Sequence, residues 1–167
     1  MFTKSIVFEN FKKKKIDTKI KKNLNEILNE NNEVIRSLQP NYKNSYTKKN
    51  LKNLRKYNEI NIIGMGGSIL GARAIYNFLE KKFKKKNFLF FDNLKSKIIS
   101  QSKKKKLNLI ISKSGNTLET LSNANILIKK KDQNIFITEN KDSYLIRLAH
   151  KLKADIIHHN NYIGGRY

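Results

Sequence analysis

Five short apolar runs constrain what most of this chain can become. Ile60–Ile63, Phe88–Phe91, Leu107–Ile111, Ile135–Ile137 and Ala154–Ile157 are strand-length and rich in Ile and Phe. That is the pattern of strands buried on both faces. Helical spacings lie between them. Ile69, Ala72, Tyr76, Leu79 and Phe83 share one face, with Arg73, Asn77 and Glu80 on the other. Leu118, Leu121, Asn125 and Ile128 describe a second helix, and Leu145, Leu148, Ala149 and Leu152 a third. Asn93–Ser102 is only weakly helical. Strand and helix alternating in this way predict a parallel sheet of about five strands with helices on both faces, a three-layer α/β domain.

The chain before Glu59 has another rhythm. Ile16, Ile20, Leu24, Ile27, Leu28, Ile35 and Leu38 predict an amphipathic helix ended by Pro40, and the stretch from Asn41 to Asn58 is polar. The expected organisation is a helical arm over residues 1–57, an α/β domain over 58–160, and a departing segment over 161–167.

The net charge is +23, from 36 Lys and Arg against 13 Asp and Glu. Alone, this favours nucleic acid or an anionic membrane as partner. Composition argues otherwise. The chain holds 31 Lys, 23 Asn and 22 Ile, all residues of A/T-rich codons, and only five Arg, the side chain suited to bidentate readout. The runs Lys12–Lys15, Lys84–Lys86 and Lys103–Lys106 sit beside predicted elements and read as solvated lysine. There is no Cys, hence no disulfide framework and no thiolate metal site. Residues 1–15 lack the unbroken apolar core of a signal peptide, and no run reaches a membrane span. The expectation is a cytoplasmic protein with neither nucleic acid nor membrane as partner.

Two loops carry chemistry. Gly64-Met65-Gly66-Gly67-Ser68 follows the first strand and opens a helix. Glycines permit close backbone approach, and a helix N-terminus offers free amides and a positive dipole end to a phosphate. A Walker loop is excluded, because no Gly-Lys-Ser/Thr closes it. A dinucleotide fingerprint fits Gly64 and Gly66 but meets Ile69 at its third position, with Asp92 as the candidate ribose ligand. The second loop, Ser112-Lys113-Ser114-Gly115-Asn116-Thr117, again precedes a helix. Asn116 and Glu119 have capping-box spacing. Ser112, Ser114 and Thr117 offer three hydroxyls to phosphate oxygens, and Lys113 either neutralises charge or points into water. Loops at the carboxyl ends of parallel strands gather on one edge. The two are therefore expected to form one compact site for a phosphomonoester.

With Leu70-Gly71-Ala72-Arg73-Ala74, Leu118-Glu119-Thr120 and Gly164-Gly165-Arg166-Tyr167 added, these motifs resemble the sugar isomerase (SIS) domain family. The last motif narrows the resemblance to members that interconvert glucose 6-phosphate and fructose 6-phosphate. The resemblance covers roughly residues 58–167. It implies a sugar phosphate as ligand, a homodimer, and neither metal nor organic cofactor. Gly67, Ser68, Ser112, Lys113, Ser114 and Thr117 would bind the phosphate end, supported by Gly64, Gly66, Gly115, Asn116, Gly164 and Gly165. Arg166 would stabilise the enediolate formed as a carboxylate base moves a proton between C2 and C1.

The family's base glutamate, ring-opening histidine and a further lysine follow the Gly-Gly-Arg motif, and this chain carries one residue after Arg166. His150, His158 and His159 do not match that histidine and read as structural. The expectation is a fragment that binds a sugar phosphate weakly and does not isomerise it. The rival readings are a non-catalytic SIS sensor of sugar phosphates, a nicotinamide-binding domain and a basic nucleic-acid binder.

Overall fold

The computed structural model describes residues 17–82, 85–94 and 105–164, apart from the side chains of Lys49 and Asn50. Expectations resting on Lys12–Lys15, Ile16, Phe83, most of Asn93–Ser102, Gly165 and Arg166 lie outside the described residues. Two compact units divide at Tyr42. In the first, helix α1 (Thr18–Asn29) starts at Asp17, whose carboxylate accepts from Lys19 N at 2.8 Å. The single helix expected as far as Pro40 is interrupted. Glu30 turns extended, and Asn32 opens a separate helix α2 (Glu33–Ser37) by accepting from Ile35 N at 2.9 Å. Asparagine side chains compete for backbone amides, so Asn32 favours a cap over a helix interior.

The second unit starts with a helix that the polar composition conceals, α3 (Lys48–Leu54). Leu54 and Tyr57 anchor its end to the core. There follow β1 (Glu59–Gly64), α4 (Gly67–Leu79) with a 3-10 turn over Glu80–Lys82, and β2 (Asn87–Phe91). Then come β3 (Leu107–Ile111), α5 (Leu118–Leu127), β4 (Gln133–Glu139), α6 (Tyr144–Leu152) and β5 (Asp155–His159). All five strands are parallel, in the order β2-β1-β3-β4-β5. Among the described residues no helix is long and apolar enough to cross a membrane.

Alternation along the strands builds two cores. Ile60, Ile62, Leu107 and Ile135 meet Ile69 and Ala72 of α4. Ile63, Ile110 and Phe136 meet Ala124 and Leu127 of α5 and Leu145 and Ala149 of α6. The three layers are thus α4, the sheet, and α5 with α6. Tyr76 packs its ring 5.2 Å from Phe88 and 5.6 Å from Phe90. The face of α6 is as its spacing predicts. That of α5 is not. Its buried stripe is Thr120, Asn123, Ala124 and Leu127, while Leu118 is 68% exposed. Two polar members of that stripe pull it away from the apolar periodicity. Asn123 is held inside by donating from Nδ2 to Asn93 O at 3.3 Å.

A row of amides crosses the sheet. Asn61, Asn108 and Asn134 occupy matching register positions on β1, β3 and β4. Asn61 Nδ2 donates to Asn108 Oδ1 at 2.8 Å, and Asn108 Nδ2 to Asn134 Oδ1 at 2.7 Å. Asn134 Nδ2 ends the row on Lys129 O at 3.0 Å. Both groups of Asn108 and of Asn134 are satisfied along the row, while Asn61 at its end keeps a buried Oδ1 without a partner among the described residues.

The lysine runs are not wholly solvated. Lys86, just before β2, donates to Arg55 O at 2.8 Å and Tyr57 O at 2.6 Å. Lys106, just before β3, is buried and lies 3.8 Å from the Glu59 carboxylate. A long aliphatic stem lets each cover apolar surface while its ammonium meets an oxygen. Both ties lie at the amino ends of the strands.

Candidate functional site

The strand order reverses between β1 and β3. From β1 the chain lays β2 on one side, and β4 and β5 are added beyond β3 on the other. The crevice outside the carboxyl ends at such a reversal is where open parallel sheets bind ligands. The glycine loop leaves β1 here and the hydroxyl loop leaves β3 here. They leave at the same level, because Gly64 and Ile111 are register partners. A Cβ on Gly64 would stand 2.9 Å from Ile111 O and 3.4 Å from the Ser68 Cβ, so only glycine lets the strand pass this close.

Gly67, Ser68, Lys113 and Gly164 line one cavity of about 210 Å³, together with Ile111, Ile137 and His159. The two loops are therefore brought to one place, as expected. Ser112, Ser114 and Thr117 belong to the same loop as Lys113 but do not line the cavity. Ser112 Oγ and Thr117 Oγ1 are 3.0 Å apart, and Ser112 Oγ also accepts from Gly115 N at 3.2 Å. Ser114 is exposed, and its Oγ accepts from Asn116 N at 3.3 Å. A larger cavity, about 550 Å³, lies at the amino ends of β4 and β5, lined among others by Tyr46, Leu54, Gln133 and Asp155. Its polar pair is mutually satisfied, Gln133 Nε2 donating to Asp155 Oδ2 at 3.0 Å. Size does not make it the better candidate, because neither motif loop reaches it.

Helix termini separate the site from the rest of the fold. Side chains cap α1, α2 and α6: Asp17, Asn32 and Ser143. Among the described residues no side chain caps α4 or α5, the two helices that begin in the motif loops. In α4, Ser68 N and Ile69 N are taken by Met65 O at 3.2 Å and Gly66 O at 3.1 Å, so it is the Gly67 amide and the first turn of α5 that retain the capacity to bind an anion. The capping-box reading of Asn116 with Glu119 is replaced by a longer reach. Asn116 Oδ1 accepts from Tyr144 N at 2.9 Å, at the start of α6. Gly115 O accepts from Leu145 N at 3.1 Å, and Ser143 Oγ from Ile146 N at 3.4 Å. Three otherwise orphaned donors of α6 are satisfied here, and two of the acceptors belong to the hydroxyl loop. The loop is also fixed to β4, since Thr138 Oγ1 donates to Lys113 O at 3.2 Å and Glu139 N to the same oxygen at 3.1 Å.

Charges at this edge are paired. Lys113 Nζ lies 3.3 Å from Glu139 Oε1, so it is neither wholly free nor directed only into water. Asp92 is taken by Arg73, 2.8 Å away, and the same guanidinium covers the Phe90 ring at 5.3 Å. This corrects the placing of Arg73 on an outward face, and it occupies the carboxylate a ribose would need. His150 and His158 are exposed. His159, expected to be structural, lines the cavity. A histidine ending a strand gives no sequence signal of its own. Only the adjacency of β4 and β5 shows where it stands.

Comparison with known proteins agrees with this geometry. The SIS domain family model matches residues 53–163. A glucose-6-phosphate isomerase of Methanocaldococcus jannaschii is 40% identical over 128 residues, spanning 70% of this chain and 31% of that protein. One of Borreliella burgdorferi is 32% identical over 134 residues, spanning 69% and 25%. The chain thus spans between a quarter and a third of the length of these relatives. Among solved structures, a hypothetical protein of Thermus thermophilus shares the fold with a TM-score of 0.55 at 20% identity, covering 71% of this chain and 33% of that one. With a parallel sheet in this order, uncapped helices at its reversal point and a family match over most of the second unit, the chain belongs to the SIS domain family.

Proposed function

We propose that this chain grips the phosphate of glucose 6-phosphate and fructose 6-phosphate as a domain of a glucose-6-phosphate isomerase. The observation that carries the reading is one cavity lined by Gly67 and Ser68, at the uncapped start of α4, and by Lys113, in the loop that leads into the uncapped start of α5. Gly67 and Ser68 supply an amide and a hydroxyl from one side. Lys113 and the loop of Ser112, Ser114 and Thr117 supply charge and donors from the other, with ligand binding drawing the hydroxyls out of their mutual bonds. Arg166 serves the enediolate, where a fixed positive charge acts on an oxygen that becomes negative only as the reaction proceeds.

No carboxylate among the described residues lines the cavity. Moving a proton between C2 and C1 needs a base within hydrogen-bond reach, a contribution of about 10²–10⁴-fold. These 167 residues therefore bind the sugar phosphate without isomerising it. The test is thermal stabilisation of the chain by 6-phosphogluconate, lost in Ser68→Ala, alongside an assay for fructose 6-phosphate. A wild-type chain that gains no stability, or one that forms fructose 6-phosphate, overturns the proposal.

The same lack of a carboxylate favours one other reading, a sensor that binds sugar phosphates without chemistry. Arg166→Ala separates the two. In an isomerase domain it weakens a hydroxamate mimic of the enediolate more than it weakens glucose 6-phosphate; in a sensor it weakens both alike.

A further inference from the structure

The cavity takes its third wall from the chain after β5, which neither motif loop explains. His159 closes that strand, and Gly164 follows one turn later; both line the cavity. Between them the chain is held twice. Ile163 N donates to Asn160 O at 3.2 Å, and Tyr162 N to Asn160 Oδ1 at 2.9 Å, which closes the turn on its own asparagine. His159 Nε2 then lies 2.9 Å from Ile163 O. A carbonyl only accepts, so Nε2 carries the hydrogen and donates. Ile163, nearly buried, is thereby fixed at its amide by Asn160 and at its carbonyl by His159. The next residue is Gly164. Without a side chain, it has no packing of its own to set its place on the cavity wall.

We propose that His159 is a positioning residue of the anion site. Its Nε2–H holds the Ile163 carbonyl, and this fixes where Gly164 stands on the cavity wall. The imidazole is in turn placed by the sheet. His159 is the register partner of Glu139, whose carboxylate takes Lys113. The role rests on the sugar-phosphate reading for its consequence, but not for its geometry.

The experiment uses the whole chain labelled with nitrogen-15, as wild type, His159→Phe, His159→Gln and Ser68→Ala. Phe keeps a ring and loses the donor; Gln restores an N–H at similar reach. In the ligand-free proteins the Gly164 amide resonance moves in His159→Phe and returns toward its wild-type position in His159→Gln. On titration with 6-phosphogluconate, His159→Phe binds about tenfold more weakly, the effect of one lost hydrogen bond, and His159→Gln recovers most of it. A Gly164 amide that stays unmoved in His159→Phe overturns the inference, and so does a Gln variant as impaired as Phe. If wild type itself ignores the ligand, the sugar-phosphate reading fails while the Gly164 resonance still decides the role of His159.

Discussion

Replacing Gly115 by alanine tests how the hydroxyl loop is held. Gly115 has φ 68°, and a Cβ there would overlap Ser143 Oγ, approach Ser143 Cβ to 2.6 Å and reach Thr138 Oγ1 at 3.0 Å. The left-handed backbone costs a residue with a Cβ about 1–2 kcal/mol. Displacing Ser143 removes the cap of α6, about 1 kcal/mol more. The sum, about 2–3 kcal/mol, corresponds in a chain of this size to a fall of roughly 5–10 °C in Tm. Circular dichroism during thermal unfolding reads it directly. Adding Ser143→Gly separates the two causes. Glycine is a tolerable cap and removes the obstructing side chain, so the double variant is more stable than Gly115→Ala alone. A loss below about 2 °C in Gly115→Ala, or a double variant less stable than the single one, refutes the reasoning.

Two further outcomes follow from the packing. Asn108→Leu leaves the Asn61 amide and the Asn134 carbonyl oxygen without their partner inside the core, and urea unfolding should show a loss of about 2–4 kcal/mol. Arg73→Met breaks a partly exposed pair with Asp92 while keeping an apolar stem over Phe90; urea unfolding should show a loss of no more than about 1 kcal/mol.

The sheet is legible because Ile-rich runs buried on both faces leave few other solutions. The two loops stand out for a related reason: glycine and hydroxyl clusters directly after such runs break the apolar pattern, although Ser112, Gly115 and Asn116 also serve to hold the loop and the start of α6. What escapes is set by long-range placement. The sequence shows Asn116 and Glu119 three residues apart, but not that Tyr144 N bonds to Asn116 Oδ1. It shows Lys106 in a basic run, but not the Glu59 carboxylate across the sheet. The inward face of α5 escapes because Thr120 and Asn123 are polar and buried, a choice that periodicity of apolar residues cannot register. The strand order escapes as well. Alternation of elements says that strands are parallel, not that β1 lies between β2 and β3.

The asparagine row has a consequence for how such a sheet finds its alignment. Displacing one strand by a single position turns its apolar side chains toward the wrong layer, and burial alone rejects that. Displacing it by two positions restores the alternation, and in strands built of near-interchangeable Ile, Leu and Phe the cores would hardly distinguish the result. The amides do distinguish it. Shifted by two in one direction, Asn108 would face Ile63 and Phe136, with its hydrogen-bonding groups stranded away from water; shifted the other way, it would leave the core for Glu59 and Asp132 at the strand ends and break the row. Three residues from an abundant, compositionally cheap type thus act as alignment marks, holding the ends of β1 and β3 level where the two loops must meet.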